Sequence, residues 1–554
     1  MLGLFIMALF LMFSPVLVFG LAIWGLLVFE EKRIPIARWR WIGIIAAGFA
    51  GGIAELIHPL TLHSVEKLLE NWEIALIQHH HLIFLWELLP WGPALGLTAW
   101  TVGPVIVRLF RPPFEDHTFD SDRTVSPVPI PLRSLRRFQR YADKRMNSFR
   151  FPLGINRQTF QPLWLDDGQL NQGVSVYGAT GSGKTTTLNR FILYALRTQK
   201  PLIVLDGKGD MAWANTIGQW TMTHGRMFHH WSVQGPATWN PLKHGAPTEL
   251  KDKLIGLTDW SEPHYRYAAE RFLQALFSAM LSAQIPVTLT TVADYFLGGS
   301  NALISLARHA GSSGAPLLSA LDAMASDRSL ASAVYGLAQR LAVLAESDAG
   351  PYLEDGPAGI DLREVLQDPA GAVVVFTLPA LQYSEFVPLL GALVLLDIRT
   401  AIAHFYRQQR RTAALLVVDE FGAFASDQAL TILAQSRGSG LGTIIATQDP
   451  EDYARVDPHL PYQVFANTAV KIVHRLDNPN SAELAARAFG TQKAHELTHQ
   501  IRNDRQALGL MGTVRAVDEF IVHPQIIKTL PVGLAAVSIK VPRSHAEIVQ
   551  VFPV

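Results

Sequence analysis

The sequence predicts an α/β protein whose mostly parallel sheet is interrupted by an inserted all-α unit and preceded by membrane-spanning helices. Three observations carry this. Apolar runs of strand length at 174–177, 202–206, 372–376, 413–418, 443–447 and 469–473 alternate with helical stretches, as parallel strands covered on both faces do. A long tract, 248–366, holds helical periodicity and no strand pattern. Residues 2–29 contain no charged side chain, long enough to cross a bilayer with tilt.

Composition agrees. Of 554 residues 49% are hydrophobic and only 17% charged, which points to membrane segments. Lysine plus arginine and aspartate plus glutamate both number 47, so any basic surface must be local. The absence of cysteine excludes disulfides, thiolate metal sites and cysteine catalysis.

The anchor is read as residues 1–110. Residues 2–29 lack the basic start and cleavage signal of a removable leader. A second apolar run, 41–57, and a third, 82–107, flank a polar loop at 58–81. Basic residues at 32–40 and from Arg108 onward orient the set by the positive-inside rule. Three spans then put the N-terminus and the 58–81 loop outside and the rest of the chain in the cytoplasm; a two-span arrangement is the alternative. His79-His80-His81 reads as loop, without a carboxylate pattern for a metal.

Residues 111–165 are read as a basic connector. Between Arg123 and Arg157 there are nine basic residues against one acid, Asp143. Such a stretch suits nucleic acid or anionic lipid head groups, and equally a solvated juxtamembrane helix. The α/β core is assigned to 166–247 and 367–554, with 248–366 inserted. In the insertion, Phe272/Leu276/Met280 and Leu273/Phe277/Leu281 recur at helical steps and read as core packing.

The chemistry begins at Gly178-Ala179-Thr180-Gly181-Ser182-Gly183-Lys184-Thr185-Thr186. It fits G-x-x-x-x-G-K-[ST], with strand 174–177 leading in and a helix over 187–196 leading out. Glycines let several N–H groups turn toward phosphate oxygens at the head of a helix. Lys184 suits the β- and γ-phosphates and Thr185 a Mg²⁺ ion. This is a nucleoside triphosphate site. A second signal fits it: four apolar residues end in Asp419-Glu420. Asp419 can hold the metal's water shell, and Glu420 can accept a proton from attacking water. Gln448, at a neighbouring strand tip, can orient that water. Arg437 and Arg475, in loops on the same edge, are candidates for an arginine finger reaching an adjacent subunit.

These motifs carry a family resemblance. The phosphate loop, Asp206-Gly-Lys-Gly-Asp210, Trp239-Asn-Pro-Leu242, Val418-Asp-Glu-Phe421, Ser436-Arg-Gly-Ser-Gly440 and Ala446-Thr-Gln-Asp449 occur in this order. With the anchor and the helical insertion, they resemble type IV secretion coupling proteins of the TraD/TraG-like kind, among hexameric DNA-pumping ATPases. The resemblance covers about residues 170–550. It implies a RecA-like P-loop NTPase core and an ATPase of the bacterial inner membrane, multi-pass, with the motor in the cytoplasm. Lys184 and Thr185 would bind ATP and Mg²⁺, Asp419 support the metal, Glu420 activate water and Gln448 act as sensor. Arg437 is implied as the trans-acting finger. Implied partners are DNA, single- or double-stranded, a relaxase or relaxosome, the secretion channel and five further copies in a homo-hexamer. Competing readings are a secretion ATPase that never grips DNA, and a nucleotide-switched receptor.

Two departures stand out. Gly207 occupies a turn position where many relatives have proline, and no chemical consequence is expected of it. The chain also ends with the core, without the tail by which some relatives dock an adaptor.

Overall fold

The computed structural model describes residues 126–257, 260, 262–357, 359–424, 438–455, 457–501 and 510–554. The expected spans within 1–110 lie outside the described residues, as do residues 425–437.

The apolar runs become strands β3 (Val174–Tyr177), β4 (Leu202–Asp206), β6 (Val373–Thr377), β7 (Leu415–Asp419), β8 (Gly442–Thr447) and β9 (Val470–Val473). With β1 (Arg150–Asn156), β2 (Pro162–Asp166), β5 (Phe228–Ser232), β12 (Leu534–Ile539) and β13 (His545–Val551) they form an 11-stranded sheet. Its order is β2-β1-β13-β12-β9-β3-β8-β7-β4-β6-β5. From β9 to β5 every neighbour runs parallel, whereas β12, β13, β1 and β2 add on antiparallel. A hairpin of β10 (Thr491–Ile501) and β11 (Leu510–Phe520) forms a two-stranded sheet of its own.

Both faces of the parallel strands are buried, so side-chain parity sorts the core into two clusters. Leu202, Val204, Val373, Val375, Leu415 and Val417 face the cluster that includes Leu188, Phe191 and Ile192 of helix Lys184–Arg197. Ile203, Leu205, Val374, Phe376, Leu416 and Val418 face the other, built from helix Val387–Arg407 and the insertion. The same parity turns Asp206 and Asp419, side by side in register at the ends of β4 and β7, toward the face of helix Lys184–Arg197.

Helix Val387–Arg407 is, among the described residues, the one long and apolar enough to cross a membrane, but 67% of its most apolar window is buried inside the fold. It is a core helix. The insertion comprises helices from Pro247–Ile255 to Leu362–Gln367, including Pro263–Ser282 and Arg328–Ala345, and shares one continuous core with it. At the join, Lys253 Nζ lies 2.8 Å from Asp397 Oδ1, and Trp239 Nε1 donates to Asp397 Oδ2 at 3.0 Å.

The connector assigned to 111–165 is corrected for its described part, from residue 126 on. Residues 132–143 form helix Leu132–Asp143, and β1 and β2 belong to the sheet, beside β13. Leu135, Ala142, Ile155 and Phe552 close this corner. The partner that buries β1 lies some 400 residues away, so no local pattern announces it. β5, Phe-His-His-Trp-Ser, went unread for a related reason: its polar histidines mask a strand that β6 pairs in parallel.

Candidate functional site

The site lies at the carboxyl ends of β3, β8, β7 and β4. Tyr177 pairs with Thr447, so the phosphate loop and Gln448 leave neighbouring strands together. The loop takes the shape its glycines allow. Gly181 and Gly183 have φ of +77° and +116°, values that a side chain would resist, and Gly183 caps helix Lys184–Arg197 with no side-chain bond. Lys184, Thr185 and Thr186 form the first turn, where N–H groups have no carbonyl within the helix to reach. The Ser182 hydroxyl is buried without a partner among the described residues, while the Ser182 carbonyl accepts from Gly533 N at 2.9 Å. An uncapped helix head behind glycines of this geometry, with an orphan hydroxyl, fits a bound phosphate chain.

The predicted residues converge. Lys184 Nζ lies 3.0 Å from Asp419 Oδ1 and 2.9 Å from Glu420 Oε1. Gln448 Nε2 donates to Glu420 Oε1 at 3.1 Å, and Thr180 Oγ1 donates to Gln448 Oε1 at 3.2 Å. Asp419 is buried and accepts from Glu420 N at 3.1 Å. Glu420 has φ +56°, a left-handed conformation costly for a residue with a side chain and concentrated at functional sites. The buried Asp419 carboxylate and the Thr185 hydroxyl in the first turn of the helix are also donor types Mg²⁺ accepts, since that ion keeps most of its waters. Arg475 offers its carbonyl to Ala179 N at 2.9 Å, while its guanidinium sits 3.2 Å from Asp477. Arg437 lies outside the described residues.

Three participants were missed. Lys208 Nζ lies 3.3 Å from Asp419 Oδ2 and 3.1 Å from Glu420 Oε1, so two ammonium groups flank the acidic pair. Asp206 stands behind, accepting from Lys208 N at 2.9 Å and Asp210 N at 2.6 Å. The expectation that Gly207 carries no consequence is corrected as well. Its N–H donates to Asp419 O at 3.2 Å, and a Cβ there would come within 3.2 Å of Glu420 Cβ. Proline would lose that bond and press on Glu420. Lys208 was legible only as a turn residue, because nothing local shows that the turn beside β4 abuts the end of β7.

The third is His474, fully buried just past β9. Its Nδ1 donates to Leu534 O at 2.9 Å, because a carbonyl can only accept; Nε2 then accepts from the Thr187 hydroxyl at 2.8 Å. Burial, with Lys184 nearby, pulls this imidazole down to about 4, so it is neutral. It ties the phosphate-loop helix to β12. His474→Ala is expected to weaken nucleotide binding about ten-fold, the worth of one buried hydrogen bond. A fluorescent-ADP titration checks this, and unchanged affinity would remove His474 from the loop's support.

The carboxyls are shifted in opposite directions. Burial pushes the Glu420 carboxyl up, but Lys184, Lys208 and Gln448 outweigh it and hold the group below its usual value. Asp206 goes the other way. Burial, aided by Asp419 and Asp210, overcomes two backbone N–H donors and lifts it to about 6.

Residues 162–540 match the family model described as the type IV secretion-system coupling protein DNA-binding domain. The chain belongs to that family. The coupling protein DotL of Legionella pneumophila is 21% identical over 393 residues, 59% of this chain and 50% of its own. An uncharacterized protein of Mycoplasma pneumoniae is 40% identical over 62 residues, covering 10% of this chain and 52% of its own. The chain thus spans about half the length of the curated relatives it matches. The conjugative coupling protein TrwBdeltaN70, unbound, superposes with a TM-score of 0.55 at 15% identity, covering 75% of this chain and 91% of that one. TrwB with ADP and Mg²⁺ gives 0.50 at 16% identity, with the same coverage. The coupling-protein fold, a RecA-like P-loop core with a large, mostly parallel sheet, is thereby established for this chain.

Proposed function

We propose that this chain is a membrane-anchored, ATP-driven coupling protein that recruits DNA, or a relaxase–DNA complex, and pumps it to a type IV secretion channel during conjugation. One observation carries the reading. Within the coupling-protein fold, the phosphate loop, Asp419, Glu420 and Gln448 meet through direct contacts.

The chain's own groups divide the work. The N–H groups of Gly181 to Thr186 and the Lys184 ammonium bind the phosphates. The Thr185 hydroxyl and Asp419 hold Mg²⁺, which when bound neutralises charge on the β- and γ-phosphate oxygens. Glu420, kept ionised at neutral pH, takes a proton from water oriented by Gln448. Lys208 keeps a cation beside both carboxylates when Lys184 serves the phosphates. An arginine of an adjacent subunit, Arg437 or Arg475, completes the site in a homo-hexamer at the bacterial inner membrane. In this reading the apolar segments within 1–110, three spans or two, anchor the chain with the motor on the cytoplasmic side, where nucleotide is.

The test is steady-state ATP hydrolysis by the full chain in detergent, with and without single- and double-stranded DNA at low salt. Lys184→Ala serves as the blank, and chelation of Mg²⁺ should abolish turnover. Turnover is expected to rise several-fold with DNA, and more than linearly with protein concentration. Turnover indifferent to DNA, at salt where DNA is shown to be bound, overturns the pump in favour of a secretion ATPase or a receptor.

A further inference from the structure

Helix Leu132–Asp143 is strongly two-sided. Leu135 and Ala142 pack against Ile155 and Phe552 at the sheet corner. At 3.6 residues per turn, Arg133, Arg136, Arg137, Arg140 and the capping Lys144 fall within an arc of about 100° on the opposite side. All five are exposed, and none has a carboxylate partner among the described residues. From Arg133 to Lys144 the stripe runs about 16 Å, several phosphate spacings of a nucleic-acid strand. The one acid in the segment is withdrawn: Asp143 is held by Arg190 at 2.9 Å and Arg197 at 3.0 Å.

Guanidinium-paired aromatic rings accompany the stripe, one on the helix and one on β2. Arg145 lies 3.8 Å over the Tyr141 ring, and Arg150 lies 4.9 Å over Trp164 on edge strand β2, with exposed Phe149 between them in sequence. Guanidinium-backed rings are platforms for unstacked bases. The helix's apolar face is already spent on the sheet, so it cannot embed in a bilayer as an interfacial helix does.

We propose that the arginine stripe of helix Leu132–Asp143, with the Tyr141 and Trp164 platforms, is a docking surface for single-stranded nucleic acid. The stripe lies N-terminal to residues 162–540, which match the family's DNA-binding model, and so adds a contact outside most of that domain. The proposal rests on the reading of this chain as a DNA pump.

The test uses the full chain in detergent. Binding of labelled single-stranded DNA is followed against salt for the unmodified chain, for Arg133→Gln/Arg137→Gln/Arg140→Gln, and for the matching triple lysine variant. Loss of three phosphate contacts is expected to flatten the log–log salt slope by about 2, and lysine to restore it. Limited trypsin digestion of the unmodified chain adds a readout independent of variant folding. DNA should protect the bonds after Arg133 to Arg145. An unchanged slope and no protection, in a chain that still binds DNA and is stimulated by it, overturns the surface and leaves the pump standing. An unmodified chain that binds no DNA takes both down. Protection seen only in phosphatidylglycerol-rich nanodiscs, without DNA, assigns the stripe to lipid head groups and overturns the proposal.

Discussion

Replacing Glu420 with glutamine is expected to lower ATP hydrolysis about a hundred- to ten-thousand-fold, the range for losing a positioned general base, while nucleotide still binds. The change is nearly isosteric and keeps an acceptor for Lys184, Lys208 and Gln448, so the loop geometry should persist. Phosphate release and fluorescent-nucleotide binding on one preparation separate the two effects. A residue at φ +56° also strains the backbone. Glu420→Gly is expected to be equally inactive; it relieves that strain but leaves Lys184 and Lys208 with Asp419 as their remaining carboxylate. Turnover of the glutamine variant within a few-fold of the parent would remove Glu420 from the chemistry.

The largest expected effect on stability lies away from the site. Asp397 on the core helix accepts from Lys253 and from Trp239, with the two ion-pair side chains 9% and 2% exposed. Lys253 also donates to the Pro241 and His244 carbonyls, stitching the Trp-Asn-Pro-Leu segment to the insertion's first helix. Asp397→Ala leaves a buried ammonium uncompensated and an indole N–H unpaired. The expected cost is about 3–5 kcal/mol, seen as a lowered apparent melting temperature. Lys253→Met/Asp397→Leu should recover most of it, because it removes both charges together. A double variant as unstable as the single one would show that packing, rather than the stranded charge, sets the cost.

Most of the active edge was legible because its signals are local. The phosphate loop needs glycines, a lysine and a threonine at fixed spacing before a helix. Asp419-Glu420 needs only to end a buried strand. Parallel strands with two covered faces read as apolar runs, so β3, β4, β6, β7, β8 and β9 could be placed to within a residue or two. The sequence order of those motifs determined the family as well.

What the tertiary structure alone decided is which distant groups share the edge. Lys208 reaches Asp419 and Glu420 because β4 and β7 pair in register, a fact of sheet order absent from either strand's own residues. His474 supports the phosphate-loop helix because β9 lies beside β3 and β12 beside β9. The corner of helix Leu132–Asp143 with β1 and β2 read as a charged linker until β13 supplied the surface that buries it. Local pattern records what a residue type requires of its neighbours in sequence, whereas burial and charge pairing are settled by neighbours that only the folded chain brings together.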